Sequence, residues 1–443
     1  MNKKNENSEV FIIPTHRDCK KSVCSLIEEI KKIKCNRDKV LVVVDNSKKS
    51  IYEQNHVFLK SKTSEVNYPI YHIGLEQMDS ILTQIANDIG MSSQRIKEMM
   101  LPDDIDYAKI YNMIYLLTVI LGANRFHRRD SDCYYDNSYQ ELKYAINAEE
   151  KFLGINLNQI KNEINMVEVR EYKENEKICI VGGDYLGNWN LDLEELARSS
   201  ENIAKRLLEI CDIPSDGIEQ QMKEVYSFNI DVEEHKPVLK NTFQVVKVPE
   251  CGNMAMEEIF RYLPNILGKN GMGFDYFTYF IAFLYKVPIV FHYNPILHIH
   301  DSKRYLDIDI QNYWIGILKM VDLDIIYTEI IRSGVIERLI ENESGLEVLK
   351  RTVDTEFVDG LEKIINSLDT EKRIIKFNAV IDDVLIGSGI QQYIKIGEEL
   401  LTKRERLLEE LNLEYRNSIE LIRQWKKIIG VASDMEFKQI FPV

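Results

Sequence analysis

The alternation at the start of the chain narrows the fold most. VFIIP (Val10–Pro14) and KVLVVVD (Lys39–Asp45) are continuous apolar runs rich in β-branched residues, the pattern of strands buried on both faces. Between them, Cys19–Ile33 carries apolar residues at 23, 26, 27 and 30, the spacing of a helix face. YPIYHIG (Tyr68–Gly74) reads as a third strand, and the helix after it has Leu75, Met78, Leu82, Ile85 and Ile89 on one side. Strands apolar on both faces need cover on both faces. The order strand, helix, strand, strand, helix therefore predicts an α/β fold with a Rossmann-like, mixed but mainly parallel sheet flanked by helices.

Further along, the apolar run MIYLLTVILGA (Met113–Ala123) reads as a buried helix or strand that ends abruptly at RFHRRDSD. Tyr134–Glu176 reads as helix plus loop, and KICIVGGDYLGNWN (Lys177–Asn190) as a strand with a glycine-bearing turn. Asp192–Ile210 has the period of an amphipathic helix, Asn241–Val248 leans to β, Phe274–Tyr285 to helix and PIVFH (Pro288–His292) to strand. After about Ile310 the chain turns strongly helical. Leu400–Ile429 has apolar residues at 400, 408, 411, 415, 422, 425 and 429, a stripe that packs on its neighbours or, in a homodimer through the C-terminal helices, on a second subunit. The expected organisation is a disordered N-terminus (1–8), an α/β domain (9–305) and a helical C-terminal domain for packing or oligomerisation (306–443).

The formal net charge is −15, and Lys and Arg are scattered, which argues against a nucleic-acid or anionic-membrane partner. Seven cysteines with no C-x-x-C pair suit a reducing compartment. The first residues lack an apolar leader core, and the two most apolar stretches fall short of the ~20 residues of a membrane span. A cytoplasmic protein without a membrane span is expected.

Four constellations carry candidate chemistry. Asp130-Ser131-Asp132 places two carboxylates where both can approach one hard cation, Mg²⁺ or Mn²⁺. Arg125, Arg128 and Arg129 beside them suit phosphate oxygens, and equally suit a structural ion-pair network. In NPILHIHDSKR, His298 and His300 are spaced so that a strand points both to one face, as two metal ligands or as a ligand and a proton-transfer group. In GKNGMGFDYF, Asp275 is either a helix cap or an acid/base residue. In VGGDYLGNWN, Gly183, Asp184, Tyr185 and Trp189 suit a sugar-like acceptor or a tight β-turn with a packed Trp.

Taken in order, these pieces resemble the GT-A fold nucleotide-sugar glycosyltransferases, of the family 2-like kind, over residues 9–305. VFIIPTHRD resembles the first strand and the loop that opens the nucleotide site, which implies donor contacts at Pro14, Thr15 and Arg17. VLVVVDNS resembles the second strand, whose terminal acid contacts base or ribose; here that is Asp45. Asp130-Ser131-Asp132 resembles the Asp-x-Asp signature that holds Mn²⁺ or Mg²⁺ on the sugar diphosphate. A late histidine, His298 or His300, stands where such enzymes complete the metal shell, and Asp275 where they carry an acceptor-side acid. The resemblance implies divalent-metal-dependent transfer of a sugar from a UDP- or GDP-sugar to an acceptor hydroxyl, with Asp130, Arg125 and Arg129 at the donor diphosphate. The helix Gly-x-x-x-Ala-x-Asn-x-Gly common before the signature is not recognisable, and FHRRDSD replaces the usual apolar approach strand. Two rivals share some of these features. A sugar-1-phosphate nucleotidylyltransferase shares sheet and metal but normally has glycine after the first strand, where PTHRD has none. A non-catalytic scaffold would use only the helical tail.

Overall fold

A computed structural model of the chain describes residues 8–34, 37–103, 105–135, 143–160, 162–166, 176–188, 193–225, 237–240, 249–284, 287–299, 307–343, 346–350 and 353–435. The apolar runs become the centre of a sheet. Val10 to Ile13 and Leu41 to Val44 are fully buried, since each strand is covered on both faces. Ten strands of the described residues join in it: β1 (Ser8–Thr15), β2 (Asp38–Asp45), β3 (Ile70–Ile73), β4 (Arg125–Arg129), β5 (Cys133–Tyr134), β6 (Asn165–Met166), β7 (Ile180–Gly187), β8 (Val238–Lys240), β9 (Asn253–Glu257) and β10 (Ile289–His298). The order is β3-β2-β1-β4-β9-β7-β10-β8-β6, with β5 paired to β10.

β3, β2, β1 and β4 are parallel neighbours. β9 lies antiparallel between β4 and β7, and β7 is parallel to β10. Hence β1, β2, β3, β4, β7 and β10 all end at one edge, where β9 begins. That edge collects the ends of strands far apart in sequence, the place where open α/β sheets bind ligands.

Six helices follow in the first part of the chain: α1 (Lys20–Lys32), α2 (Lys49–Lys62), α3 (Leu75–Ile89), α4 (Ser93–Met100), α5 (Tyr107–Ile120) and α6 (Ala145–Phe152). Strand alternation sorts β1 between two layers. Phe11 and Ile13 pack with Val23, Leu26 and Ile30 of α1, while Val10 and Ile12 join the cluster formed by α3, α4 and α5. α2 has no strong periodicity, burying only Asn55 and Leu59, yet it supplies the crossover that makes β2 and β3 parallel.

Three expectations change. Of the run Met113–Ala123, the helix alternative holds for Met113–Ile120, the second half of α5; Gly122, at φ +72°, then turns the chain, and RFHRR is not the abrupt end of an element but an inner strand, β4, between β1 and β9. Gly182 to Gly187 are not a turn but the continuation of β7; a Cβ on Gly183 would lie 2.4 Å from the His292 ring of neighbouring β10. The expected helix over 192–210 is two helices, Leu193–Ser199 and Glu201–Ile210, broken at extended Ser200.

The tail is mostly helical, interrupted by two antiparallel strands, Ile340–Glu343 and Leu346–Leu349, and ends in the long helix Gln391–Asp434. Its predicted stripe is buried at Leu400, Leu411, Tyr415, Ile422 and Trp425, all within this chain. The stripe closes over α3, α4, α5 and the helix Thr355–Asn366. Trp425 Nε1 donates to Phe260 O (3.1 Å), and Ser418 Oγ accepts from Leu267 N (2.7 Å). No helix of the described residues is long and apolar enough to cross a membrane.

Candidate functional site

β4 carries two chemistries because its side chains alternate. Arg128 points to the α5 face, its guanidinium stacked over the Tyr111 ring at 4.3 Å. It donates to Asp130 Oδ1 (2.7 Å) and to Asp275 Oδ2 (3.2 Å). Asp130 Oδ2 also accepts from the Tyr185 hydroxyl, 3.3 Å away. Asp132 turns the other way, toward Arg17 Nη1 (3.2 Å) and His298 Nε2 (3.7 Å). His298 Nδ1 lies 2.6 Å from Asn188 O. A carbonyl only accepts, so Nδ1 carries a proton and donates it, which aims Nε2 at Asp132. Burial opposes charge on His298, but the Asp132 carboxylate outweighs it and holds the imidazole above its ordinary pKa. Tyr185 stacks on this ring at 4.5 Å. The two halves of the predicted metal site therefore meet, through Asp132 and His298. Asp130 does not join them: its carboxylate is engaged by Arg128 and Tyr185. His300 and Trp189 lie outside the described residues.

At the ends of β1 and β2, Pro14 sits beyond Ile12, the last β1 residue paired with β4, so its missing N–H breaks no bond there. Thr15 Oγ1 donates to Arg17 O (2.7 Å) and folds the turn that presents Arg17. Burial, with Arg17 beside it, pushes His16 down to about 4, so at neutral pH it is an uncharged acceptor for Arg17 Nη2 (3.1 Å). Asp45 is buried, and its oxygens accept from His72 Nε2 (2.9 Å), Asn55 Nδ2 (2.9 Å) and Ser47 N (2.8 Å). Burial works against its charge, but these donors prevail and hold it below the ordinary value. Asp45 thus positions His72 through a carboxylate with no exposed surface, a poor placement for the base or ribose contact that the resemblance implies. His72 stacks on Tyr52, with ring centroids 4.2 Å apart.

Arg125 and Arg129 are not at the ligand edge. They share the opposite side of β4 with His127, facing α1 and α6. Arg129 is 1% exposed and forks onto Glu29 (3.0 and 2.8 Å) and Glu149 (2.9 and 3.2 Å). Arg125 pairs with Glu257 (2.7 Å) and Glu9 (3.5 Å). The structural ion-pair reading holds for these two, and Arg128 alone of the three faces the site. Asp275 is neither a cap nor an available base. Its carboxylate is buried in the turn Phe274–Tyr276 and tied to Arg128; burial raises its pKa and Arg128 only partly offsets this. Gly183 packs against His292, while Asp184 and Tyr185 do lie at the site.

The sequence reading missed Glu250. Two tyrosines link backbone to carboxylate at the start of β9. Cys251 N donates to the Tyr276 oxygen (3.0 Å), whose proton goes to Glu250 Oε2 (2.7 Å). Gly252 N donates likewise to the Tyr185 oxygen (2.7 Å), which serves Asp130. A Cβ on Gly252 would meet that hydroxyl at 2.3 Å, so only glycine fits. Burial, reinforced by Asp184, raises Glu250 to about 7. Nothing in VPECGN marks this glutamate, because its environment comes from β7, β10 and the Asp275 turn.

The raised pKa has a stability consequence. Between 4.5, its ordinary value, and about 7 the folded chain holds a proton that the unfolded chain releases, so stability falls as pH rises through that window. Glu250→Gln is expected to stabilise the protein by roughly 2–3 kcal/mol at pH 8 and not at pH 4, as read by urea denaturation at both values. An equal gain at both would exclude this cause.

Residues 9–440 match the model of a family described as a family of unknown function (DUF6271). The chain belongs to this family. The match spans the sheet, the site and the helical tail together. No curated protein matches the chain.

Proposed function

We propose that this chain is a divalent-metal-dependent glycosyltransferase of GT-A-like fold, moving a sugar from a nucleoside diphosphate sugar to an acceptor hydroxyl. The observation that carries the reading is the meeting of Asp132, just past the end of β4, with His298 at the end of β10, 3.7 Å apart at the sheet's ligand edge. The donor set fits a metal. His298 would offer its Nε2, aimed by Asn188, and Asp132 a carboxylate oxygen, with Asp130 as a water-mediated ligand; oxygens of the donor diphosphate and water would complete an oxygen-rich shell suited to Mn²⁺ or Mg²⁺. A divalent ion bound there supplies positive charge for the leaving diphosphate. Arg17, within 3.2 Å of Asp132, adds a bidentate phosphate donor.

The stacked pair Tyr52 and His72, held by Asp45, offers a platform for the base. Glu250 takes the acceptor's proton if the reaction inverts, since a carboxyl near 7 is matched to that task. Asp275, tied to Arg128, keeps Asp130 oriented. The test is a thermal melt with UDP, GDP and dTDP, with and without Mn²⁺. A nucleotide that binds the native chain at a hundred times its Kd adds about 2.7 kcal/mol, and the rise is expected only when metal is present. No shift with any nucleotide would overturn the proposal.

A further inference from the structure

The α1/α6 side of β4 holds a second cluster, closed off from the ligand edge. Glu9, Glu29, Glu149, Glu150 and Glu257 converge on Arg37, Arg125 and Arg129, with His127 at the centre. Among the described residues these five carboxylates face three guanidiniums and the His127 ring, and Lys177 stands 4.0 Å from Glu257 on the solvent side. His127 is 0% exposed, and its ring stacks on Phe11. Its Nδ1 lies 2.7 Å from Glu149 Oε2, the carboxylate–imidazole pairing that orients metal-binding histidines and leaves Nε2 outward. Nε2 is buried, has no hydrogen-bond partner, and points between Glu9 Oε1 and Glu150 Oε1, 3.8 Å from each.

We propose that Glu9, His127 and Glu150 form a binding site for a divalent transition-metal ion, with Zn²⁺ the best match, tying α6 to β1 and β4. Their three ligand atoms lie within 4.8 Å of one another. Two donors about 2.1 Å from a tetrahedral ion stand about 3.4 Å apart, so the two 3.8 Å separations from His127 need to close by a few tenths of an ångström, and the Glu9–Glu150 separation, within 4.8 Å, by no more than about 1.4 Å. One nitrogen and two carboxylate oxygens suit zinc better than Mg²⁺ or Ca²⁺, which take oxygen ligands in larger number. Arg37, 2.6 Å from Glu9 Oε1 and 35% exposed, can swing out to solvent, which leaves that oxygen the longer contact with Arg125 at 3.5 Å. The Glu150 side chain, 17% exposed, marks the way in. This site does not rest on the glycosyltransferase reading, because it shares no residue with the Asp132 and His298 pair.

The experiment uses the full chain with Asp130→Asn and Asp132→Asn, which removes the front carboxylates. After chelation and dialysis, Zn²⁺ is titrated by calorimetry and bound metal is measured by elemental analysis. One equivalent is expected, with a rise in melting temperature. Adding Glu150→Gln, at the cluster's rim, should weaken binding at least about tenfold. Co²⁺ on the same chain without the Glu150 change gives an independent reading, a visible ligand-field band expected from a nitrogen-and-carboxylate site. Absence of a zinc equivalent, absence of the cobalt band, or undiminished binding in the Glu150→Gln chain would each overturn the proposal.

Discussion

In the Asp132→Asn chain, metal-dependent hydrolysis of UDP- and GDP-sugars is expected to fall about 10²- to 10³-fold, the usual cost of losing one electrostatic group at a reacting centre. The substitution keeps shape and removes charge. Asp132 sits at the rim beside Arg17, whose partly exposed side chain can turn toward water, while His298 stays held by Asn188 O and Tyr185, so the fold should persist. Asp130→Asn should cost less, because its carboxylate is taken up by Arg128 and Tyr185 and, on the proposed reading, would reach the cation only through water. The order of the two losses tests the geometry. Equal activity in Asp132→Asn and the parent would remove the metal role from this residue, and a larger loss in Asp130→Asn would reverse the assignment of direct and water-mediated ligands. Initial rates at several Mn²⁺ concentrations separate weakened metal binding from a slower step.

The second large effect is on stability. Arg129→Met is expected to cost about 3–5 kcal/mol, because it strands Glu29 and Glu149 in a closed interior. Arg129 and its neighbour His127 overcome burial and hold Glu149 down at about 2, while burial wins at Glu29 and raises it. The depressed group sets one pH window. Stability contributed by Glu149 is present above its ordinary 4.5 and is lost as pH falls through about 2. The penalty in Arg129→Met should therefore be largest above pH 4.5 and shrink in acid. Adding Glu29→Gln and Glu149→Gln should recover part of the loss at pH 7, which urea denaturation measures. If the triple variant is no more stable than the single, the stranded charges are not the cause.

What could be read in advance followed from periodicity. β1, β2, β3, α1 and α3 came directly from runs and spacings, because strands buried on both faces and helices buried on one leave plain patterns. α2 was invisible: with Asn55 and Leu59 as its buried residues, it has no apolar stripe to announce it. β4 was not legible as a strand because its charges are buried, and a strand whose inward residues are Arg125, His127 and Arg129 offers no apolar alternation. The Asp132–His298 meeting was legible as two motifs. Which of three arginines faced it was not, since that depended on recognising β4 and counting its alternation. Glu250 was out of reach, because its pKa is set by Asp184 and by tertiary burial.

The long helix Gln391–Asp434 has a consequence for how such a chain is inherited. It lays its apolar seam over α5, the helix whose end leads into β4, with Tyr115, Phe260 and Trp425 in one aromatic group. A half carrying only the sheet would leave the outer wall of α5 bare, and a half carrying only the tail would have no surface to close on. Neither can be lost, swapped or appended without the other. A lineage keeping the ligand edge must keep the last helix too, which fits a family match that runs unbroken over residues 9–440.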